Sequence, residues 1–264
     1  PEYPQGRVFL FYNTGNNHEY DVRIKNGYRE VWYISSTDGG HTWSEPTNIT
    51  TMVHRPNFPS ANPEYKFEED WRTYANTPGH AMQFADGKYK GRIYVAANHS
   101  QGPPISPFSD YFAHGYYTDD HGKTFHISES VNVASSNEST AAQLSNNKLM
   151  LNSRNQNGDI RSRIISISSD GGQTWDTTYF DNRLIDPVNQ GSLLNIDNGG
   201  KKKIIAFCNA ANKNQRNNLT LRISKDEGKT WFKNILIDKG DRDDYAHTAY
   251  SDIVKMGKRD IGVL

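Results

Sequence analysis

One octet, written four times, constrains this chain more than anything else in it. Ser36-Thr37-Asp38-Gly39-Gly40-His41-Thr42-Trp43, Thr118-Asp119-Asp120-His121-Gly122-Lys123-Thr124-Phe125, Ser168-Ser169-Asp170-Gly171-Gly172-Gln173-Thr174-Trp175 and Ser224-Lys225-Asp226-Glu227-Gly228-Lys229-Thr230-Trp231 share the pattern Ser/Thr-x-Asp-x-Gly-x-Thr-aromatic. Asp bonds nearby backbone N–H groups and Gly accepts positive φ, so the octet is a tight corner. The aromatic that closes it is expected to fold back as an apolar plug. Strands of period two run into three copies, through Val31 and Tyr33, through Ile165 and Ile167, and through Leu219, Leu221 and Ile223. The copies start at 36, 118, 168 and 224, which spaces them by 82, 50 and 56 residues. Intervals of about 50 residues fit one repeated four-stranded unit, and the first interval fits one unit with a long insertion. A meander of such units is expected.

The rest of the chain agrees with a strand-rich reading. Hydrophobic residues make up only 34%, but 15 Tyr, 11 Phe and 5 Trp favour strands with polar loops over disorder. Further strands are expected at 7–12, 92–97, 160–168, 191–196 and 203–209, with a hairpin over 137–144 and 148–152. Thr77–Phe84 is a turn feeding a strand, and residues 249–256 end a loop and start another. Residues 13–28 and 44–75 and the segment holding Pro103, Pro104 and Pro107 read as loops, and no long helix is expected. The charge balance, 30 basic against 30 acidic residues, gives no argument for nucleic acid as a partner. No apolar run approaches the ~18–20 residues of a membrane span. The lone Cys208 lies in the apolar run Ile204–Cys208 and reads as a buried strand residue. No His/Cys/Asp spacing suggests a metal and no phosphate-binding loop is present, so no cofactor is expected.

The octets resemble the Asp boxes of the sialidase (neuraminidase) superfamily, and the residues between them resemble an exo-α-sialidase of the bacterial and animal type. The resemblance implies an all-β fold, a six-bladed β-propeller of the sialidase type. Here it would be incomplete, one domain over 1–264 from about the second blade onward, with the boxes structural and on the outer rim. Arg154, in Leu151-Asn152-Ser153-Arg154, and Arg216, in Arg216-Asn217-Asn218-Leu219, match two of the three arginines with which the family grips a sugar carboxylate. A planar guanidinium suits that task, because it binds a carboxylate through two parallel hydrogen bonds. Arg222, in the strand beside the last box, is expected to face solvent. Tyr250, in Ala249-Tyr250-Ser251-Asp252, matches the family's nucleophile, and Glu138, in Asn137-Glu138-Ser139-Thr140, the glutamate that assists it. Sialidases are the glycosidases in which tyrosine takes the place of a carboxylate nucleophile. A phenol with a pKa near 10 needs such a partner at neutral pH. Asp70, Gln190 and Asn98 match weaker elements of the sugar-binding pocket, and His80 reads as a packing or turn residue.

The chain departs from the family in two places. It has no Arg-Ile-Pro tripeptide to supply the first arginine, and no residue matches the acid/base aspartate. Both are expected upstream, so the chain is expected to be a fragment that another chain or segment completes and that alone turns over substrate poorly. The implied activity is retaining hydrolysis of terminal sialic acids from sialylated glycans, whether glycoprotein, glycolipid or oligosaccharide. A trans-sialidase or anhydrosialidase variant is the alternative at the same site. Two others are a sialoglycan-binding propeller without catalysis and a purely structural Asp-box propeller. The four Asn-x-Ser/Thr sequons, at Asn48, Asn98, Asn137 and Asn218, read as chance in an Asn-rich chain. A secreted or periplasmic protein of a bacterium is expected.

Overall fold

Five antiparallel sheets follow one another along the chain in the computed structural model, which describes residues 6–196, 203–240, 248–257 and 260–264. The first sheet runs β1 (Val8–Gly15), β2 (Arg29–Ser36) and β3 (Thr47–Asn48), with a short helix α1 (Glu19–Arg23) between β1 and β2 and α2 (Thr50–Val53) after β3. In the second, β4 (Trp71–Asn76) and β5 (Met82–Gln83) share one edge of β6 (Ile93–Gln101), followed by β7 (Tyr111–Thr118) and β8 (His126–Ile127). The third is β9 (Ser136–Gln143), β10 (Leu149–Asn155), β11 (Ser162–Ser168) and β12 (Thr177–Ile185). The fourth is β13 (Gly191–Asn195), β14 (Ile205–Ala210), β15 (Leu219–Ser224) and β16 (Lys233–Asp238), and the fifth pairs β17 (Ile253–Met256) with β18 (Asp260–Val263). Strand β9 neighbours both β6 and β13, and β13 neighbours β17, so the sheets stand side by side with their first strands inward. The 44–75 segment, expected to be loop throughout, contains β3, α2 and most of β4.

Each octet joins the last two strands of its sheet, and its chemistry is the same four times. The leading hydroxyl of Ser36, Thr118, Ser168 and Ser224 accepts a glycine N–H at 2.8 Å and donates to the box aspartate at 2.7–2.9 Å. The aspartate's other oxygen accepts the box threonine hydroxyl at 2.6–2.7 Å. The Thr230 hydroxyl, with the Thr230 N–H and Ser224, holds the Asp226 carboxyl down at about 2. Gly40, Gly122, Gly172 and Gly228 all take positive φ. From the second sheet on, the box leans on the sheet before it: a side chain at Gly122 would strike Phe9, one at Gly172 would strike Tyr94, and one at Gly228 would strike Met150. Phe125, Trp175 and Trp231 accordingly pack into the apolar layers between sheets. Trp43 does not, and stays 42% exposed, so three of the four expected plugs form.

Four apolar clusters fill the spaces between successive sheets. A sheet covered on both faces buries consecutive side chains, and every residue of β10, β14 and β15 is buried, Cys208 among them. That corrects the expectation for Arg222. It is buried, its guanidinium donates to Asn209 Oδ1 at 2.6 Å, and burial lowers its pKa. Between the first two sheets lie three fully buried imidazoles. His99 Nδ1 meets His114 Nδ1 at 3.1 Å, and His54, its ring tilted against that of Tyr74, has no hydrogen-bond partner at either ring nitrogen among the described residues. Burial holds all three neutral, with the His114 pKa pulled down to about 3.

Candidate functional site

Strand β9 and the segments leading into β13 and β17 present Glu138, Gln190 and Tyr250 at their N-terminal ends. There the chain lines an open cavity of about 290 Å³. The third sheet supplies Glu138 and Arg154, and two later loops supply Arg216 and Tyr250. The first two sheets and their loops supply Glu19, Arg29, Thr73, Tyr74, Asn98 and Tyr111.

Antiparallel pairing sets Ser139 opposite Ser153, and the register shifts between Ser153 and Asn155, at Arg154. Arg154 Nη1 donates to Glu138 Oε2 at 2.6 Å and lies 3.3 Å from Tyr250 Oη, while its buried Nε has no partner among the described residues. Tyr250 Oη donates to Glu138 Oε1 at 2.7 Å. The carboxylate thus holds a phenol on one oxygen and a guanidinium on the other. Burial first, then the charge of Glu138 and its hold on the phenolic proton, raises the Tyr250 pKa. The phenol is therefore neutral at rest, with its proton directed at a base.

Arg216 stands with its guanidinium carbon 5.9 Å from the centre of the Tyr250 ring and donates to the Val188 carbonyl at 3.1 Å. Its own carbonyl accepts the Thr248 N–H at 2.8 Å, which ties its loop to the segment carrying Tyr250. Gln190 lies behind the cavity. Its amide accepts the Ser251 N–H at 3.1 Å and donates to the Ser251 carbonyl at 2.9 Å, so it pairs with the residue after Tyr250 as a strand would. Asn98 lines the cavity and donates to Asn137 Oδ1. Asp70 does not reach it: at φ +48° it turns away to Arg72 at 2.8 Å and Lys25 at 3.2 Å, beside a separate small recess. His80 bridges Asp252 at 2.7 Å and the Leu193 carbonyl at 3.2 Å.

Three contributors have no signal in the sequence. Glu19, from α1, accepts the Tyr111 hydroxyl at 2.5 Å and is the second carboxylate of the cavity. It comes from a polar loop with no periodicity, folded over the site by the buried Arg23–Asp110 pair. Arg29, the first residue of β2, comes from the same turn of chain. Arg163 is fully buried behind Glu138, paired with Asp186 at 3.0 Å and donating to Asn152 Oδ1 at 2.7 Å and to the Glu138 carbonyl at 3.5 Å. In the sequence it reads as one more charge in a strand. Among the described residues no group of three or more His, Cys, Asp or Glu is placed to hold a metal ion. No helix among them is long and apolar enough to cross a membrane.

Comparison with known proteins matches residues 2–263 to the BNR repeat-like domain family. A sialidase of Micromonospora viridifaciens is 30% identical over 204 residues, 75% of this chain and 28% of the relative. A sialidase of Bacteroides fragilis is 29% identical over 249 residues, 90% of this chain and 40% of the relative. Among solved structures, the Hadza microbial sialidase Hz136 superposes with a TM-score of 0.78 at 23% identity, covering 98% of this chain and 47% of that one. The intramolecular trans-sialidase from Ruminococcus gnavus superposes with a TM-score of 0.68 at 19% identity, covering 89% of this chain and 45% of that one. The likeness to these structures shows the fold, all-β and of the propeller type. The chain spans less than half the length of each of these relatives. With the boxes, the stacked sheets and the family match together, the chain belongs to the BNR repeat-like domain family and to the sialidase superfamily.

Proposed function

We propose that this chain carries the catalytic face of an exo-α-sialidase, a single six-bladed propeller domain of which residues 1–264 form part, removing terminal sialic acids from glycans with retention. The observation that carries the reading is the three-way contact of Tyr250, Glu138 and Arg154. Arg154 and Arg216 hold the sugar carboxylate. Tyr250 Oη attacks the anomeric carbon as the bond to the leaving glycan breaks, and the phenolic proton passes to Glu138 Oε1. A neutral nucleophile suits this centre, because a phenolate would be repelled by the carboxylate it must approach. Glu19, the remaining carboxylate of the cavity, gives its proton to the leaving oxygen and then takes one from the water that attacks in the second step. As the tyrosine–sugar bond breaks, Tyr250 recovers its proton from Glu138. This gives the acid role, expected to lie upstream, a candidate inside the chain. Action outside the cytoplasm of a bacterium belongs to the same reading.

The test is release of fluorophore from an aryl sialoside by the chain and by Tyr250→Phe. Loss of the nucleophile is expected to lower the rate by about 10²–10⁴-fold, and an unchanged rate would sink the assignment. Transfer to a sugar hydroxyl in place of water is the second reading, favoured by the likeness to an intramolecular trans-sialidase. The products separate the two: free sialic acid from hydrolysis, an anhydro sugar or a new glycoside from transfer.

A further inference from the structure

Arg29 lies in the cavity and has no task in the reaction just described. Its Nη1 is fixed by two carbonyls, Asn17 at 2.7 Å and Tyr28 at 3.4 Å. Neither Nε nor Nη2 has a hydrogen-bond partner among the described residues, and none of their carboxylates lies within ion-pairing distance of the guanidinium. The placement is built. Gly15 sits opposite Arg29 in the β1–β2 ladder, and any side chain there would collide with Nη1. Burial lowers the Arg29 pKa, and the charge of Glu19 only partly offsets that. Neither Nε nor Nη2 is among the buried groups left unpaired, so this edge of the guanidinium lies open to an anion entering the cavity.

Glu19, whose charge acts on Arg29 without ion-pairing with it, is already engaged by the Tyr111 hydroxyl. Arg154 and Arg216 take the carboxylate of the terminal sugar. Arg29 comes from the same loop region as Glu19, which faces the bond being broken, so it faces the sugar that leaves. Resting on the sialoside reading above, we propose that Arg29 forms a second anion subsite, selecting glycans in which the sugar released is itself anionic. A carboxylate on a second acidic sugar and a sulfate ester on a neutral one both suit a free guanidinium edge.

Binding to the 264-residue chain, followed by calorimetry, tests this with three glycans. One carries a terminal sialic acid on lactose, the second a terminal sialic acid on another sialic acid, and the third a terminal sialic acid on sulfated lactose. At least one anionic glycan is expected to bind about tenfold or more tightly than the neutral one, and which does so identifies the anion. Arg29→Gln should bring the ratio to one, and Gly15→Ala, which displaces the guanidinium without removing it, should lower it. Equal binding of all three by the unaltered chain, or a preference that survives in Arg29→Gln, overturns the subsite. Failure to bind even the neutral glycan overturns the sialoside reading itself, a different outcome.

Discussion

Glu138 divides two duties between two oxygens, one holding the Tyr250 phenol and the other the Arg154 guanidinium. Glu19, the other carboxylate of the cavity, accepts the Tyr111 hydroxyl instead. In the proposed mechanism Glu138 is the base and Glu19 the acid. Glu19→Gln is therefore expected to slow release of a natural glycan by about 10²–10⁴-fold. It should slow an activated aryl leaving group far less, since that group departs without a proton. Equal losses on the two substrates would remove Glu19 from the acid role. The contrast also shows what was legible at this scale. Glu138, Arg154, Arg216 and Tyr250 each sit in a short local context that resembles the family's, and the structure brings the four together. Glu19 and Arg29 carry no such context. Their position depends on a polar loop held down by a buried ion pair 87 residues apart in sequence, and no local pattern encodes that.

The boxes show how far a local device predicts an element. Their turn chemistry is contained within eight residues, so the corner was legible in full. The fate of the closing aromatic was not, because it depends on the sheet standing next to the box: Phe125 is buried and Trp43 is not. The same reasoning covers Arg222, whose burial follows from neighbours on both faces of its sheet. Ser168 is the firmest point of its box, fully buried and bonded to both Asp170 and the Gly172 N–H. Ser168→Ala leaves that buried N–H unmatched and is expected to cost about 1–3 kcal/mol. Denaturant melts of the variant and the parent check it, and a difference within error would mean that the box does not stabilise its corner.

Across the whole molecule, cohesion rests on the layers between sheets, and the layer between the first two is the one that titrates. The pKa values of His54, His99 and His114 lie below the ordinary 6.5 in the folded chain, so the unfolded chain takes up protons first. The contribution is intact above about 6.5 and is lost as pH falls from there towards about 3, by up to ~1.4 kcal/mol per unit for each ring. His54→Phe removes one such ring. It should flatten the fall between pH 7 and pH 5, measured by urea melts at both, and an unchanged slope would place the acid sensitivity elsewhere.

Strand β1 has β2 on one side and no described strand on the other, while Val8 and Leu10 stand about half exposed. A strand paired on one side only among the described residues has two populations of amide protons. Those directed at β2 are locked in the ladder, and those directed outward meet water. Deuterium should therefore enter β1 at alternate residues within the first minutes of exchange, while β10, β14 and β15 stay protonated. The same edge is a template. At rising protein concentration the outward amides should slow together as β1 edges of neighbouring molecules zip against one another, so the exchange pattern of one strand reports the association of the whole.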